Sequence, residues 1–168
     1  LQKSLFESYT NTKKGNAYAT IKANYAKVIY EAATLKKQAE NRKKALSICN
    51  EIIRDFKDSE GFVVATNLKN NILHKSIQIK NEEIIPVNSL SKILVTYKNI
   101  KQVQIAIYKT DPDFNFYKYN YEDRDSIIKA FFKKEKPIKE FNTKLPLKDD
   151  YFNHSTEVVI PELNSGSY

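Results

Sequence analysis

The chain has 168 residues and a formal net charge of +8, with one cysteine, three glycines and neither tryptophan nor methionine. Hydrophobic residues make up 41% and charged residues 29% of it, a composition that excludes disorder and low complexity. A single cysteine excludes a disulfide framework or a cysteine-rich zinc site, and no apolar run is long enough to predict a membrane span. Because the chain begins at Leu1 without a charged-then-apolar leader, we expect a segment of a longer protein.

Residues 1–75 are predicted to form a helical region. Apolar side chains at three- and four-residue steps predict one amphipathic helix over residues 17–35 and a second over residues 45–56. The polar tract 38–42 is predicted to be a turn, and Asp58 or Ser59 is predicted to cap a third helix. The predicted buried residues are Tyr18, Ile21, Tyr25, Val28, Ile29, Ala32 and Leu35, then Ala45, Leu46, Ile48, Cys49, Ile52, Ile53 and Phe56, then Ala65, Leu68, Ile72 and Leu73.

The spacing of these helices, with Ala45-Leu46 followed by Ile52-Ile53 and Phe56, is similar to one and a half tetratricopeptide-type repeats. A short helical bundle without a groove of its own is the alternative interpretation. The excess charge belongs to this region, because residues 1–75 hold 14 basic and 7 acidic side chains, a difference of +7. The basic clusters flank the predicted turn, so a solvated helix surface explains them more simply than a phosphate-binding face, and we do not expect nucleic acid as a partner.

Residues 76–168 are predicted to form a β-sandwich domain that is incomplete at its C-terminus. Apolar residues alternate with polar ones at Ile77 and Ile79, over residues 93–97 and over residues 103–107, which predicts strands with one solvated face. Residues 99–101 are short enough to join the second and third strands as a hairpin. Further strands are predicted over residues 138–145 and 155–161, each closed by a proline and therefore at a sheet edge. A last strand after Gly166 would have only two residues.

An insertion separates the third and fourth predicted strands. Residues 123–136 are predicted to form a helix with aspartates in its first turn. The loop before it is rich in aromatic side chains, which form a candidate interaction surface or fold onto the adjacent helix. These residues are Phe114, Phe116, Tyr117, Tyr119 and Tyr121.

No catalytic, metal-binding or cofactor-binding constellation is predicted. His74 and His154 lack ligand partners at zinc-site spacing, and the paired aspartates lack the glycine and distal glutamate of a calcium loop. With three glycines, the chain has no phosphate-binding loop. We therefore expect neither enzymatic activity nor a cofactor. A hydrolase whose site is assembled from distant acidic residues is the third hypothesis. It ranks last because nothing in the sequence marks a nucleophile or an oxyanion donor.

The order of several tracts carries a family resemblance over residues 45–168. Helices ending in 58-DSEG-61 are followed by 67-NLKNNIL-73, 76-SIQI-79 and 93-ILVTYKNI-100, and later by 145-LPLKDDY-151, 154-HSTEVVIP-161 and a closing Gly166-Ser167-Tyr168. Together they resemble the N-terminal part of bacterial alpha-2-macroglobulin-like proteins of the cell envelope, namely a helical lead-in and the first macroglobulin domain. The resemblance implies an α+β chain whose second part is an antiparallel fibronectin-like sandwich.

The resemblance also implies a function, a location and partners. It suggests a non-catalytic scaffold segment, in the periplasm or surface-anchored as part of a lipoprotein, which contacts neighbouring domains of the same polypeptide. Proteases would be targets of the full-length protein. The family's thioester joins a cysteine to a glutamine three positions on, whereas Ile52 stands three positions after Cys49, so no functional residue is carried over. The alternative is a helical adaptor that binds a peptide or nucleic acid through its basic N-terminal surface.

Overall fold

The computed structural model describes residues 15–36, 38–82, 84–113, 118 and 120–168. These residues form an α+β fold of four helices and small antiparallel sheets. The helices are α1 (Asn16–Lys36), α2 (Ala39–Asp55), α3 (Glu60–Leu73) and α4 (Tyr121–Lys134). The strands are β1 (Ser76–Lys80), β2 (Ser91–Lys98), β3 (Gln102–Ile107), β4 (Lys139–Lys144) and β5 (His154–Ile160).

The contacts divide the chain into two compact units. The helical unit takes the chain as far as Gln78 and also contains Thr96–Ile100 and Leu147–His154. The strand unit contains Ile79–Val95, Lys101–Pro146 and Ser155–Tyr168. Two short segments from the second half of the sequence therefore belong to the helical unit.

Among the side chains of α1 that the structure describes, the fully buried ones are alanines; the larger ones predicted for the buried face are partly buried or exposed, and the predicted Leu35 side chain lies outside the described residues. These alanines are Ala19, Ala23, Ala26 and Ala33. Val28 is 44% exposed and Ala32 is also exposed, so the predicted stripe is wrong at these positions. Small residues let helix backbones approach closely, while Tyr25 and Ile29 pack, partly buried, against the margin of the core.

Helices α1 and α3 approach each other closely at Gly61. A Cβ atom added to Gly61 would lie 2.4 Å from the carbonyl carbon of Ala19. Gly61 is buried in the first turn of α3. Its lack of a side chain is what allows the two backbones to meet, and this contact explains why the face of α1 that carries Ala19 is the buried one.

Helix α2 supplies the centre of this core. Ala45, Ile48, Cys49 and Ile52 are buried, as predicted. The predicted turn over residues 38–42 is wrong, because the helix already begins at Ala39 and Arg42 is buried within it. The polar residues of this tract suggested an exposed turn. The guanidinium of Arg42 is instead covered by the rings of Tyr30 and Phe152, which are distant in the sequence.

Helix α3 begins and ends at specific contacts. Ser59 is its N-cap, as predicted, and its side chain accepts a hydrogen bond from the backbone N–H of Phe62. Ala65, Leu68 and Ile72 are buried, whereas Leu73 is 40% exposed, contrary to the prediction. The helix ends at Leu73, so the residues that follow it no longer continue its buried face.

Strands β1, β2 and β5 form one sheet in the order β1-β2-β5. In β2 and β5 the buried side chains alternate as predicted, and they include Val95, Tyr97, Val158 and Ile160. The edge strand β1 differs, since Ile77 is 47% and Ile79 52% exposed. An alternating pattern shows which side chains share one face of a strand, but it does not show whether another element covers that face. The burial expected for Ile77 and Ile79 is therefore wrong.

Strands β3 and β4 form a separate two-stranded antiparallel sheet, in which Gln102 lies opposite Lys144 and Ile107 opposite Lys139. The predicted hairpin between β2 and β3 is therefore wrong, because these strands belong to different sheets. Asn99, in the connection, is held by hydrogen bonds to the end of α3 and does not form a hairpin turn. The strands that end before Pro146 and Pro161 are edge strands, as predicted.

The insertion contains the predicted helix, α4. Glu122 and Asp123 lie in its first turn and Lys133 and Lys134 in its last, an arrangement that suits the helix dipole. After the turn at Gly166, the backbone N–H of Thr110 donates to the carbonyl oxygen of Ser167 at 2.8 Å. Within the described residues, the short additional strand predicted here is a single antiparallel bridge.

Candidate functional site

The predicted aromatic surface lies outside the described residues. Phe114, Phe116, Tyr117 and Tyr119 are not described, and Tyr121 is described only as the first residue of α4. This surface therefore stays a prediction.

A different aromatic cluster lies in the strand unit, between the end of β3 and α4. The ring of Tyr108 lies 5.8 Å from that of Phe131 and 4.8 Å from that of Phe132, measured between centroids. Together with Ile107, Thr110 and Tyr168, this cluster lines a pocket of about 460 Å³. Among the described residues that line it there is no charged side chain, and the surface is largely apolar.

Within the described part of the chain, no three His, Cys, Asp or Glu side chains are grouped to hold a metal ion. Cys49 is fully buried in the helical core, and burial raises the pKa of its thiol to about 11. A thiol with this pKa is protonated at neutral pH and is a poor nucleophile. Cys49 acts here as a small apolar residue.

A buried arginine fastens the segment Leu147–His154 to the helices. Arg42 is 5% exposed, and its guanidinium carbon lies 3.6 Å from the centroid of the Phe152 ring and 5.0 Å from that of Tyr30. The guanidinium also donates a hydrogen bond to the backbone carbonyl of Tyr151. Burial lowers the pKa of Arg42, but an arginine remains charged at neutral pH. The guanidinium is thus stacked on Tyr30, which belongs to α1, and on Phe152, which belongs to the segment Leu147–His154.

A second contact holds the segment Thr96–Ile100 at the end of α3. The ammonium of Lys98 donates to the carbonyl of Asn71 at 3.0 Å. The side-chain amide of Asn99 donates to the carbonyls of Ile72, at 2.8 Å, and His74, at 3.0 Å. Helix carbonyls in the last turn lack intrahelical partners, so these two side chains complete the helix from 25 to 27 positions away.

The conformation of Asn99 suits this role. Its φ is +56°, in the left-handed region that Asn tolerates better than most residues other than glycine. Burial, followed by the nearby charge of Arg42, lowers the pKa of Lys98. The two anchoring cations therefore share one partly buried environment in the helical unit.

The side chains of Asp150 and His154 contact each other within the segment Leu147–His154, which Arg42 holds against the helices. Nε2 of His154 lies 2.8 Å from Oδ1 of Asp150, and the backbone N–H of Phe152 donates to the same oxygen at 3.0 Å. Burial opposes ionisation of Asp150, but the hydrogen bonds from His154 and Phe152 outweigh it, so the pKa of this carboxyl is lowered from its ordinary value of 3.8. The carboxylate holds the segment in its bent conformation.

This arrangement predicts a pH dependence. A carboxyl whose pKa is lowered by folding adds stability above its unfolded pKa and loses that stability as the pH falls through the folded value. The contribution of Asp150 should therefore be complete at pH 7, begin to decrease near the reference value for aspartate, about pH 4, and be lost as the pH falls further through the lowered folded value. Asp150→Asn should reduce stability at pH 7 more than at pH 2.5, as measured by urea unfolding at both values. Asp149→Asn, at the exposed neighbouring position, is the control, and an equal effect of the two substitutions would contradict this account.

The anchoring residues were not identified from the sequence. Arg42 was placed in a polar turn, although its three-, seven- and ten-residue distances to Ala45, Cys49 and Ile52 match the buried face of α2. Lys98 and Asn99 were placed at a hairpin, where an Asn is unremarkable. Their partners are so distant in the sequence that no local pattern reveals them.

Comparison with known proteins adds no relative. No protein-family model, curated protein or solved structure matches this chain. Among the described residues, no helix combines the length and apolarity needed to cross a lipid bilayer. The resemblance to alpha-2-macroglobulin-like proteins thus rests on the sequence tracts alone.

Proposed function

We propose that this chain is a non-catalytic scaffold segment of an alpha-2-macroglobulin-like protein of the bacterial cell envelope. In this proposal it contributes structurally to the trapping of proteases by the full-length protein. One observation carries the proposal: the helical unit includes Thr96–Ile100 and Leu147–His154, which Arg42, Lys98 and Asn99 fasten in place. An independent helical adaptor would complete its core with its own helices.

The finer features of the fold belong to the same proposal. The connection from β2 to β3 joins two different sheets, as connections between layers do in β-sandwiches, and this supports a macroglobulin-type sandwich. Three consecutive helices with short connections support a tetratricopeptide-like arm. The neighbours that such a segment would contact are other domains of the same polypeptide.

The test uses the full-length parent protein and the isolated chain. We expect the parent to protect a large protein substrate from a protease and the isolated chain to give no protection. In the parent, Arg42→Ala should leave protection intact at low temperature and reduce it at temperatures where the helical unit unfolds. Protection by the isolated chain, or none by the parent, would contradict the scaffold proposal.

Two further measurements distinguish the scaffold proposal from the adaptor alternative. Fractionation of the cells should place the parent in the envelope. The isolated chain should not retard a short RNA or DNA duplex in a gel at low salt, where phosphate contacts are strongest. Binding that weakens steeply as salt is raised would favour the nucleic-acid adaptor instead.

A further inference from the structure

The pocket between the end of β3 and α4 in the strand unit has a shape and a surface that suit one class of ligand. Its volume of about 460 Å³ lies within the range of small-molecule sites. Two of the aromatic side chains that line it are open to solvent, since Phe132 is 49% and Tyr168 41% exposed. None of the residues that line the pocket makes the anchoring contacts of Arg42, Lys98 and Asn99, so this inference does not depend on the scaffold function proposed above.

Three rings form a corner of this pocket. The centroids of Tyr108, Phe131 and Phe132 are separated by 4.8, 5.5 and 5.8 Å, and the ring planes are inclined to one another by 56°, 74° and 62°. No two of these three rings are parallel, so they leave no slot into which a flat ring could insert. A point about 3 Å above the triangle of centroids lies about 4.5 Å from each of them, inside the range of about 6 Å for a cation–π contact. The corner therefore fits a compact, rounded group.

The electrostatics of the corner favour a cation. The faces of aromatic rings are electronegative, and Phe131 and Phe132 belong to the last turn of α4, at the negative end of the helix dipole. Lys133 and Lys134 in the same turn are exposed and do not line the pocket. An ammonium group is strongly hydrated and is costly to place against apolar walls. A trimethylammonium group is covered by methyl groups and suits aromatic walls better.

A neighbouring lysine defines the rest of the ligand. Cε of Lys109 and the hydroxyl oxygen of Tyr168 lie 3.2 and 3.5 Å from the position that a Cβ atom on Gly166 would take, so the end of the lysine lies beside a ring that lines the pocket. Its positive charge repels a simple cation and attracts an anionic group on the same ligand. We propose that the pocket binds a small zwitterion of the glycine betaine type. The trimethylammonium group occupies the aromatic corner, and the carboxylate pairs with Lys109.

Two probes isolate the contribution of the cation. Glycine betaine and 3,3-dimethylbutanoate have the same shape and the same carboxylate, but a neutral carbon replaces the cationic nitrogen in the second. In NMR titrations of the intact chain, we expect glycine betaine to bind about tenfold more tightly, because only its methyl groups carry positive charge to the rings. Its methyl protons should shift upfield through the ring currents. Equal affinities of the two probes, or no binding of glycine betaine, would overturn the proposal.

Substitutions at an exposed ring place this binding in the pocket. Phe132→Leu keeps an apolar side chain but removes an aromatic face, so it should weaken binding of glycine betaine by about fivefold and leave 3,3-dimethylbutanoate unaffected. Phe132→Tyr keeps the ring and should bind like the original chain. Leu90→Ala is the control, because Leu90 is 67% exposed in the same unit and does not line the pocket. An unchanged affinity of Phe132→Leu for glycine betaine would show that the site lies elsewhere.

A substitution of the lysine tests the other half of the ligand. Lys109→Gln should weaken binding of glycine betaine and strengthen binding of choline, which has the same cation but no carboxylate, because both the attraction and the repulsion are lost. A change in the same direction for both probes would contradict the pairing of Lys109 with the carboxylate. None of these results would bear on protease protection by the parent.

Discussion

Replacing Gly61 with alanine should lower the free energy of unfolding by about 2 kcal/mol. The new Cβ would lie 2.4 Å from the carbonyl carbon and 2.5 Å from the carbonyl oxygen of Ala19. Overpacking in a core costs about 1–3 kcal/mol. Here the new Cβ meets main-chain atoms, which cannot move aside as a flexible side chain can, so we expect a cost of about 3 kcal/mol. The better helix propensity of alanine returns about 1 kcal/mol. Urea unfolding at constant m-value measures the difference.

Two controls make this result specific. Asn70→Ala on the same helix also improves helix propensity but meets no neighbour, so it should change stability little or raise it slightly. Ala19→Gly combined with Gly61→Ala should not restore stability, because the clash is with main-chain atoms that glycine also has. A Gly61→Ala variant as stable as the original chain would show that α1 and α3 do not approach as closely as described.

Replacing Arg42 with alanine should also lower stability by about 2 kcal/mol. The variant loses a charged hydrogen bond to the Tyr151 carbonyl, about 1.5–3 kcal/mol, and stacking on Phe152, about 0.5–2 kcal/mol. Removing a buried charge recovers part of this loss. Arg42→Lys should be nearly as unstable, because an ammonium group cannot reproduce the planar stacking. Thermal unfolding followed by circular dichroism measures these changes.

The matched control and a double-mutant cycle identify the stacking itself. Lys43→Ala, next in the sequence and exposed, should change stability little, because its ion pair with Glu40 is a surface pair. Arg42→Ala and Phe152→Ala should be less destabilising together than the sum of the two, by about 1 kcal/mol. Additive effects would mean that the two side chains contribute independently, and the anchoring role of Arg42 would have to be abandoned.

Local patterns predicted most of the helices and strands of this chain. The spacing of apolar residues located α2 and its buried face, and the serine before Glu60 located the start of α3, because both features depend on residues within one or two turns. The alternation in β2, β3 and β5 was likewise sufficient to place those strands.

The same patterns failed where a distant residue decides the outcome. The buried face of α1 is set by its contact with Gly61, so alanines are buried where Val28 was expected. Residues 99–101 have the length of a hairpin turn, but hydrogen bonds from Asn99 to the end of α3 direct the chain to another sheet. The anchoring site could not be predicted for this reason, since the hydrogen bonds that Arg42, Lys98 and Asn99 donate each span more than 20 positions.

The way in which Lys98 and Asn99 complete α3 has a consequence for the order of folding. Main-chain hydrogen bonds within α1 and α2 join residues four positions apart and can form early in folding. The carbonyls of Asn71, Ile72 and His74 must wait for residues that enter the chain 25 to 27 positions later. Closing such a loop costs entropy before any contact repays it. The last turn of α3 should therefore become stable late, together with the end of β2.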